Sequence, residues 1–296
     1  MRVNPNPYPD LLADIANTQQ EIQTAEQEIA TGQTVNLPSD DPSAAATLVQ
    51  NASQTSEADQ FERSVGSVQG EMQNADSALN SVITALQQAI TLGTEGANGT
   101  VNAADRSAIA TQVEGIQSQL LGLANLTYQG NYVFGGTATQ TAPYVLNANS
   151  PSGVTYQGNS GVNTVTLGND FSLQTNLPGP DLFSASGTDM FQSIQDLIND
   201  LESGENIGAA VTEVGDSLDS IDTARVFYGN ALNQLNSQQT YLSSQTQQLA
   251  QEQNTIDAAD LPNVISNLTN GQVSLQATLE TIGQTSQTNL FDYLRQ

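Results

Sequence analysis

From Leu11 onward, apolar and small residues return in steps of four and three: Leu11, Ile15, Thr18, Ile22, Ala25 and Ile29. A repeat of about 3.5 residues holds one face of a helix toward a partner and predicts a left-handed coiled coil. Gly32, just past the last of these positions, is suited to end the helix. A second helical run carries Leu48, Val65, Met72, Leu79 and Leu86, the last four spaced by sevens. The stretch GTEGANGTVN, 93–102, predicts a turn, and a third run follows on Ile109, Val113, Ile116, Leu120 and Leu123. The most regular seam takes Val214, Leu218, Ile221, Arg225, Tyr228, Leu232, Leu235, Gln239, Leu242, Thr246, Leu249, Gln253 and Ile256. Its polar members suit register more than stability. A last helix after Leu261-Pro262 carries Ile265, Leu268, Leu275, Leu279 and Ile282 and closes with NLFDYLRQ.

Between the third run and the long seam the texture changes. From Gln129 the chain is rich in Gly, Thr and aromatics, and VTYQG, NTVTLG and FSLQTN alternate or carry β-branched residues between Gly, Asn and Pro. Such segments predict short strands. The expected fold is mainly α: an elongated helical bundle and coiled coil drawn from both chain ends, with a small inserted β-domain. The division reads as 1–35 with 262–296 for a terminal coiled coil, 36–142 with 190–261 for a helical body, and 143–189 for the β-domain.

The stretch TVNLPSDDPSAAA, 34–46, sets two adjacent aspartates before the second helix. Pro42 fits the first helical position, where its missing N–H costs nothing, and Asp41 is a favoured N-cap. Asp40 adds negative charge near the positive end of the helix dipole. A catalytic carboxylate pair would need a cleft that raises one pKa, and nothing nearby in the sequence supplies its walls. The pair reads as a helix start.

Composition narrows the chemistry further. Acidic residues number 31 against 5 basic ones, giving a formal charge of −26, and the basic residues are all arginine: Arg2, Arg63, Arg106, Arg225 and Arg295. With no Lys there is no P-loop lysine and no Schiff base, and with no His or Cys there is no Ser–His–Asp triad, thiol nucleophile or ordinary zinc site. Five scattered arginines on a strongly negative chain argue against nucleic acid and against an anionic membrane surface. The first residues show no apolar run of the Sec type, and no later stretch is long and apolar enough to span a bilayer.

Other candidate sites read as structural. Gly135-Gly136 lacks a following Lys and helix, so a tight turn is favoured over a phosphate cradle. The acids Asp196, Asp200, Glu202 and Glu205 surround Gly204, but an EF-hand register would put Leu201 and Ser203 at ligand positions, leaving a solvated helix end. A carboxylate hydrolase in the β-domain, with Tyr132, Tyr144, Tyr156 or Phe171 stacking on sugar, is opposed by the absence of Trp and the scatter of acids. An adhesive role for that domain stays open. No catalytic, cofactor or metal set emerges, and the chain is not expected to be an enzyme.

Several stretches together resemble the flagellin superfamily, and within it the branch that joins hook to filament. They include the MRV start, Thr31-Gly32 through Asn36-Leu37-Pro38-Ser39-Asp40-Asp41-Pro42, and Gly130-Asn131-Tyr132-Val133-Phe134-Gly135-Gly136-Thr137. Pro143-Tyr144, Tyr156-Gln157-Gly158-Asn159, Asn176-Leu177-Pro178-Gly179, Arg225 with Tyr228-Gly229-Asn230, and Leu290-Phe291-Asp292-Tyr293-Leu294 continue the pattern. The resemblance implies a flagellin-like rod, with paired terminal helices in the axial core and the β-domain facing outward. It implies flagellar type III export without a Sec signal, an export chaperone on the C-terminal helix, and terminal segments that order on assembly. It also implies self-assembly into a ring-like extracellular junction between the first hook-associated protein and flagellin, or alternatively a flagellin-type filament subunit. The expected subunit-interface residues are Leu11, Ile15, Ile22 and Ile29 at one end and Leu275, Leu279, Ile282, Leu290, Tyr293 and Leu294 at the other. Plain intramolecular coiled-coil packing is the competing reading, above all for the first four.

Overall fold

In a computed structural model the backbone is described for residues 8–169 and 171–294, with side chains except those of Tyr8, Ser186 and 285–294. The heptad runs fold as helices: α1 Tyr8–Thr31, α2 Pro42–Gly96, α3 Ala103–Ala124, and further on α6 Ile207–Asp257 and α7 Leu261–Leu294. Between α3 and α6 lie six short strands, β1 Thr127–Tyr128, β2 Asn131–Tyr132, β3 Tyr144–Leu146, β4 Val154–Tyr156, β5 Thr164–Thr166 and β6 Ser172–Gln174, then α4 Gly179–Phe183 and α5 Met190–Ser203. The chain divides into two compact units, one drawn from Met1–Glu57 and Gln245–Gln296, the other from Ala58–Ser244.

The core of the second unit follows from its two long helices. On α2, Val65, Met72, Leu79 and Leu86 are fully buried, and Val68, Ala75, Val82 and Ala89 form the alternate row of the same seam. On α6, Val214, Ile221, Tyr228, Leu235 and Leu242 recur by sevens and are all buried. The intervening row fares differently: Leu218, Arg225 and Leu232 are half-buried and Gln239 is exposed. A heptad stripe that is large on one row and small on the other lets side chains interdigitate at a narrow seam. Arg225 is drawn from the seam to α2, where its Nε donates to Asp76 Oδ1 at 2.6 Å, Nη2 to Asp76 Oδ2 at 3.2 Å, and Nη1 to Asn80 Oδ1 at 3.2 Å. Its partner Asp76 raises the guanidinium pKa further.

The predicted turn at 93–102 is shorter than its composition suggests, because α2 continues through Gly96. A Cβ at Gly93 would stand 2.6 Å from Val211 and 2.9 Å from Leu197, and one at Gly96 would strike Leu201. Those glycines admit a close neighbour inside a helix rather than break it. Asn102 then caps α3 by accepting the Asp105 N–H at 2.9 Å.

The strands pair as three separate two-stranded antiparallel ladders: β1 with β2, β3 with β4 and β5 with β6. The first lies before residue 143, and its turn uses positive φ at Gln129 and Gly130, as a two-residue primed hairpin requires. These ladders share one hydrophobic core with the helices of their unit. The joint is aromatic. Tyr144 on β3 lies 5.6 Å from Phe183 and 5.1 Å from Phe191, centroid to centroid, and Phe183 meets Phe134 edge-on at 5.5 Å. Burial, with the nearby Tyr156 and Asp189, pushes the Tyr144 phenol well above its ordinary range. Asn125 at the end of α3 clips on the same strand, accepting the Tyr144 N–H at 2.9 Å and donating to its carbonyl at 2.7 Å.

Candidate subunit interface

The first unit is built around α1 and α7, which pack on each other. They run antiparallel: Gln33, just past α1, bridges Ala258, just before α7, while Ile22 lies against Gly271 further along. A Cβ at Gly271 would stand 3.1 Å from Ile22 Cγ1, so the glycine sets how closely the helices approach there. Ala25 and Val264 are buried; Leu11, Ile15, Thr18, Ile22 and Ile29 on α1, and Leu268, Gly271, Leu275, Thr278 and Ile282 on α7, are half-buried. The steps on α7 are four and three from Val264, one residue out of phase with Ile265.

Two sequence expectations are corrected by that phase. Ile265, 52% exposed, and Leu279, 53% exposed, do not belong to the stripe facing α1. With Leu12 at 58% and Val273 at 65%, they are apolar groups left open to solvent on the helix pair. The α7 backbone continues through Leu290, Tyr293 and Leu294, whose side chains lie outside the described residues. A shallow groove along the pair is lined mainly by small polar groups, among them Asn17, Thr18, Thr24, Asn267, Asn270 and Ser274.

The base of the pair is tied by a joint that the sequence did not announce. Asp257 is only 5% exposed. Its Oδ1 accepts the Val35 N–H at 3.0 Å, and its carbonyl accepts the Thr34 N–H at 2.7 Å. The Ala259 N–H donates to the Gly32 carbonyl at 3.0 Å. Gly32, at φ +71°, turns the chain out of α1 to make this possible. Because the partners are separated by 222 residues along the chain, no local pattern marks Asp257.

The two aspartates before α2 divide their work. Asp41 is the N-cap expected: its Oδ1 accepts the Ser43 N–H at 2.9 Å and the Ala44 N–H at 3.0 Å, with Pro42 opening the helix. Asp40 instead faces backward, its Oδ2 accepting the N–H groups of Asn36 at 3.1 Å and Leu37 at 2.8 Å. It closes the preceding turn, a role distinct from the dipole charge expected of it.

The remaining candidates resolve as structure. Gly136, at φ +70°, packs against Asn159, whose Oδ1 accepts the N–H groups of Thr137 at 2.8 Å and Gly161 at 2.9 Å. Amides that a phosphate would need are thus already engaged, and the tight turn stands. Gly204 ends α5 in the left-handed conformation, donating to the Asp200 carbonyl at 2.8 Å. Burial, with Asp196 and Glu205 nearby, raises the Asp200 carboxyl. Among the described residues no group of three or more acids is arranged to hold a metal ion, and no helix is long and apolar enough to cross a membrane.

A helix pair made from the two ends of a chain, joined to a helical unit with small strand ladders, is a flagellin-type architecture. Residues 6–139 match the bacterial flagellin N-terminal helical region. Over nearly its full length the chain is similar to flagellar hook-associated protein 3. It is 28% identical to the Escherichia coli protein over 305 residues, 96% of each chain, and 29% identical to the Salmonella typhimurium protein over 312 residues, covering 97% of this chain and 98% of that one. Its fold is shared with Bacillus cereus FlgL, at a TM-score of 0.58 and 20% identity, covering 70% of this chain and 99% of that one. The chain is therefore similar over residues 6–139 to the flagellin N-terminal helical region and has a flagellin-like fold, and the relatives it matches over nearly its full length are hook-associated proteins of the flagellum.

Proposed function

We propose that this chain is the structural subunit that joins hook to filament in a bacterial flagellum, with no catalysis of its own. The reading rests on one observation: the two ends of the chain pair as α1 and α7 while Leu12, Ile265, Val273 and Leu279 stay exposed. A stable monomer gains nothing from such groups, whereas neighbouring copies can bury them. In this reading Leu11, Ile15, Ile22, Ile29, Leu275 and Ile282 hold the pair and offer their open edges to neighbours. Leu279, Leu290, Tyr293 and Leu294 extend the contact along α7.

The partners are further copies in a ring-like junction, the first hook-associated protein on the hook side, and flagellin on the other. An export chaperone covers the C-terminal helix before assembly, and the protein reaches the cell exterior through the flagellar type III route. Deleting the gene tests the role. Hooks without filaments, with flagellin shed into the medium, are expected; filaments still seated on the hooks would overturn it. Replacing Ile282 by Asp is expected to abolish assembly while the second unit stays folded, and normal junctions from that variant would remove the residue assignments.

A further inference from the structure

A pocket of about 440 Å³ opens in the second unit between α2, the β1–β2 hairpin and the β5–β6 ladder. It lies within the usual range of ligand sites, roughly 300–1,000 Å³. Its lining includes Glu71, Tyr128, Tyr132, Asn163, Thr164 and Thr175. Glu71, on α2, is half-buried. Among the described residues no donor reaches its carboxylate, and the ion pair of Arg225 with Asp76 lies elsewhere. Burial raises the Glu71 carboxyl, and its negative charge adds to the burial that raises the enclosed Tyr228 phenol. A carboxylate held partly out of water with no donor from its own chain keeps hydrogen-bonding capacity for a ligand.

We propose that this pocket receives one guanidinium or ammonium group, carried on an arginine or lysine side chain of a neighbouring protein chain. A charged donor meets the carboxylate in both charge and hydrogen bonding, and a cation also gains from nearby tyrosine rings. Neutral hydroxyl groups would supply donors but leave the charge uncompensated. The chain's own field favours the same occupant, since a formal charge of −26 concentrates cations at its surface. Its own supply is small: of five arginines, Arg225 is engaged by Asp76 and Asn80, and Arg106 donates to the Val101 carbonyl at 3.0 Å. No arginine is among the described residues that line the pocket, so the proposal takes the side chain from outside; it goes beyond the junction role and does not depend on it.

The test uses the full chain with isotope-labelled tyrosine, read by NMR. Titrating Nα-acetyl-arginine amide is expected to shift the Tyr128 and Tyr132 signals and saturate with a Kd of about 1 mM, the scale of a single weakly held side chain. The isosteric neutral probe Nα-acetyl-citrulline amide, and glucose, are expected to leave them in place. Glu71→Gln is expected to weaken the arginine probe at least tenfold while the other tyrosine signals keep native positions. On the unmodified chain, raising NaCl from about 50 to 300 mM is expected to weaken binding severalfold, a check that needs no variant. Equal binding by citrulline or glucose, no shift with the arginine probe, or full affinity in E71Q would each overturn the proposal. Binding of free guanidinium ion as tight as the capped residue would overturn its assignment to a side chain.

Discussion

Replacing Asp257 by Ala isolates the joint at the base of the α1–α7 pair. The substitution removes one charge-assisted hydrogen bond, Val35 N–H to Asp257 Oδ1 at 3.0 Å, and leaves the backbone bonds from Thr34 and Ala259 available. Hydrogen bonds to charged groups contribute about 1.5–3 kcal/mol, and the site is buried enough that water does not freely replace the acceptor. At about 1.4 kcal/mol per tenfold, that loss corresponds to roughly 10- to 150-fold faster opening of the joint. Amide hydrogen exchange at Val35 reads it directly. Thr34 is expected to follow, because its partner carbonyl belongs to the same residue, while α3 amides in the other unit stay unchanged. Asp257→Asn keeps an oxygen acceptor without the charge and is expected to accelerate exchange by no more than about tenfold, the range of a neutral bond. Exchange at Val35 within twofold of the parent in the alanine variant would refute the joint, as would an equal acceleration throughout α3.

Three further outcomes follow from the same geometry. Asp41→Ala is expected to cost about 1 kcal/mol and to expose the Ser43 and Ala44 amides, whereas Asp40→Ala should release Asn36 and Leu37 instead; exchange that does not separate the two variants would contradict the division of roles. Leu79→Ala removes a fully buried heptad side chain and is expected to cost about 2–5 kcal/mol in a urea melt; a shift below about 0.5 kcal/mol would place the core elsewhere. For Glu71 the folded carboxyl is raised by burial, so the folded chain takes up a proton more readily than the unfolded one. Stability therefore rises as pH falls from neutral through the raised value toward the ordinary glutamate value of about 4.3. Glu71→Gln should accordingly be the more stable form at pH 7, its advantage fading near pH 4, and a parent chain more stable than E71Q at pH 7 would reverse the sign.

The sequence by itself determined what depends on neighbours a few residues away. Spacing by sevens marked Val65, Met72, Leu79 and Leu86 and the row from Val214 to Leu242, because helix geometry alone brings every seventh residue to one side. Asp41-Pro42 marked the start of α2 for the same reason: a cap acts within three residues. The helical bundle was legible in those runs, and the likeness to flagellin in the ordered motifs along the chain.

Tertiary structure decided what depends on distant partners. On α7, Ile265 and Leu279 fit the same spacing as their neighbours, and only the approach of Ile22 to Gly271 selected the stripe one residue away. Gly93 and Gly96 carry turn composition, yet Leu197, Leu201 and Val211 make them contact points within a helix. Asp257 reads as one acid among 31 until Val35 is brought to it. Periodicity states which faces a helix possesses; which face is buried, and which carboxylate is enclosed, is settled by the free energy of contacts made across hundreds of residues.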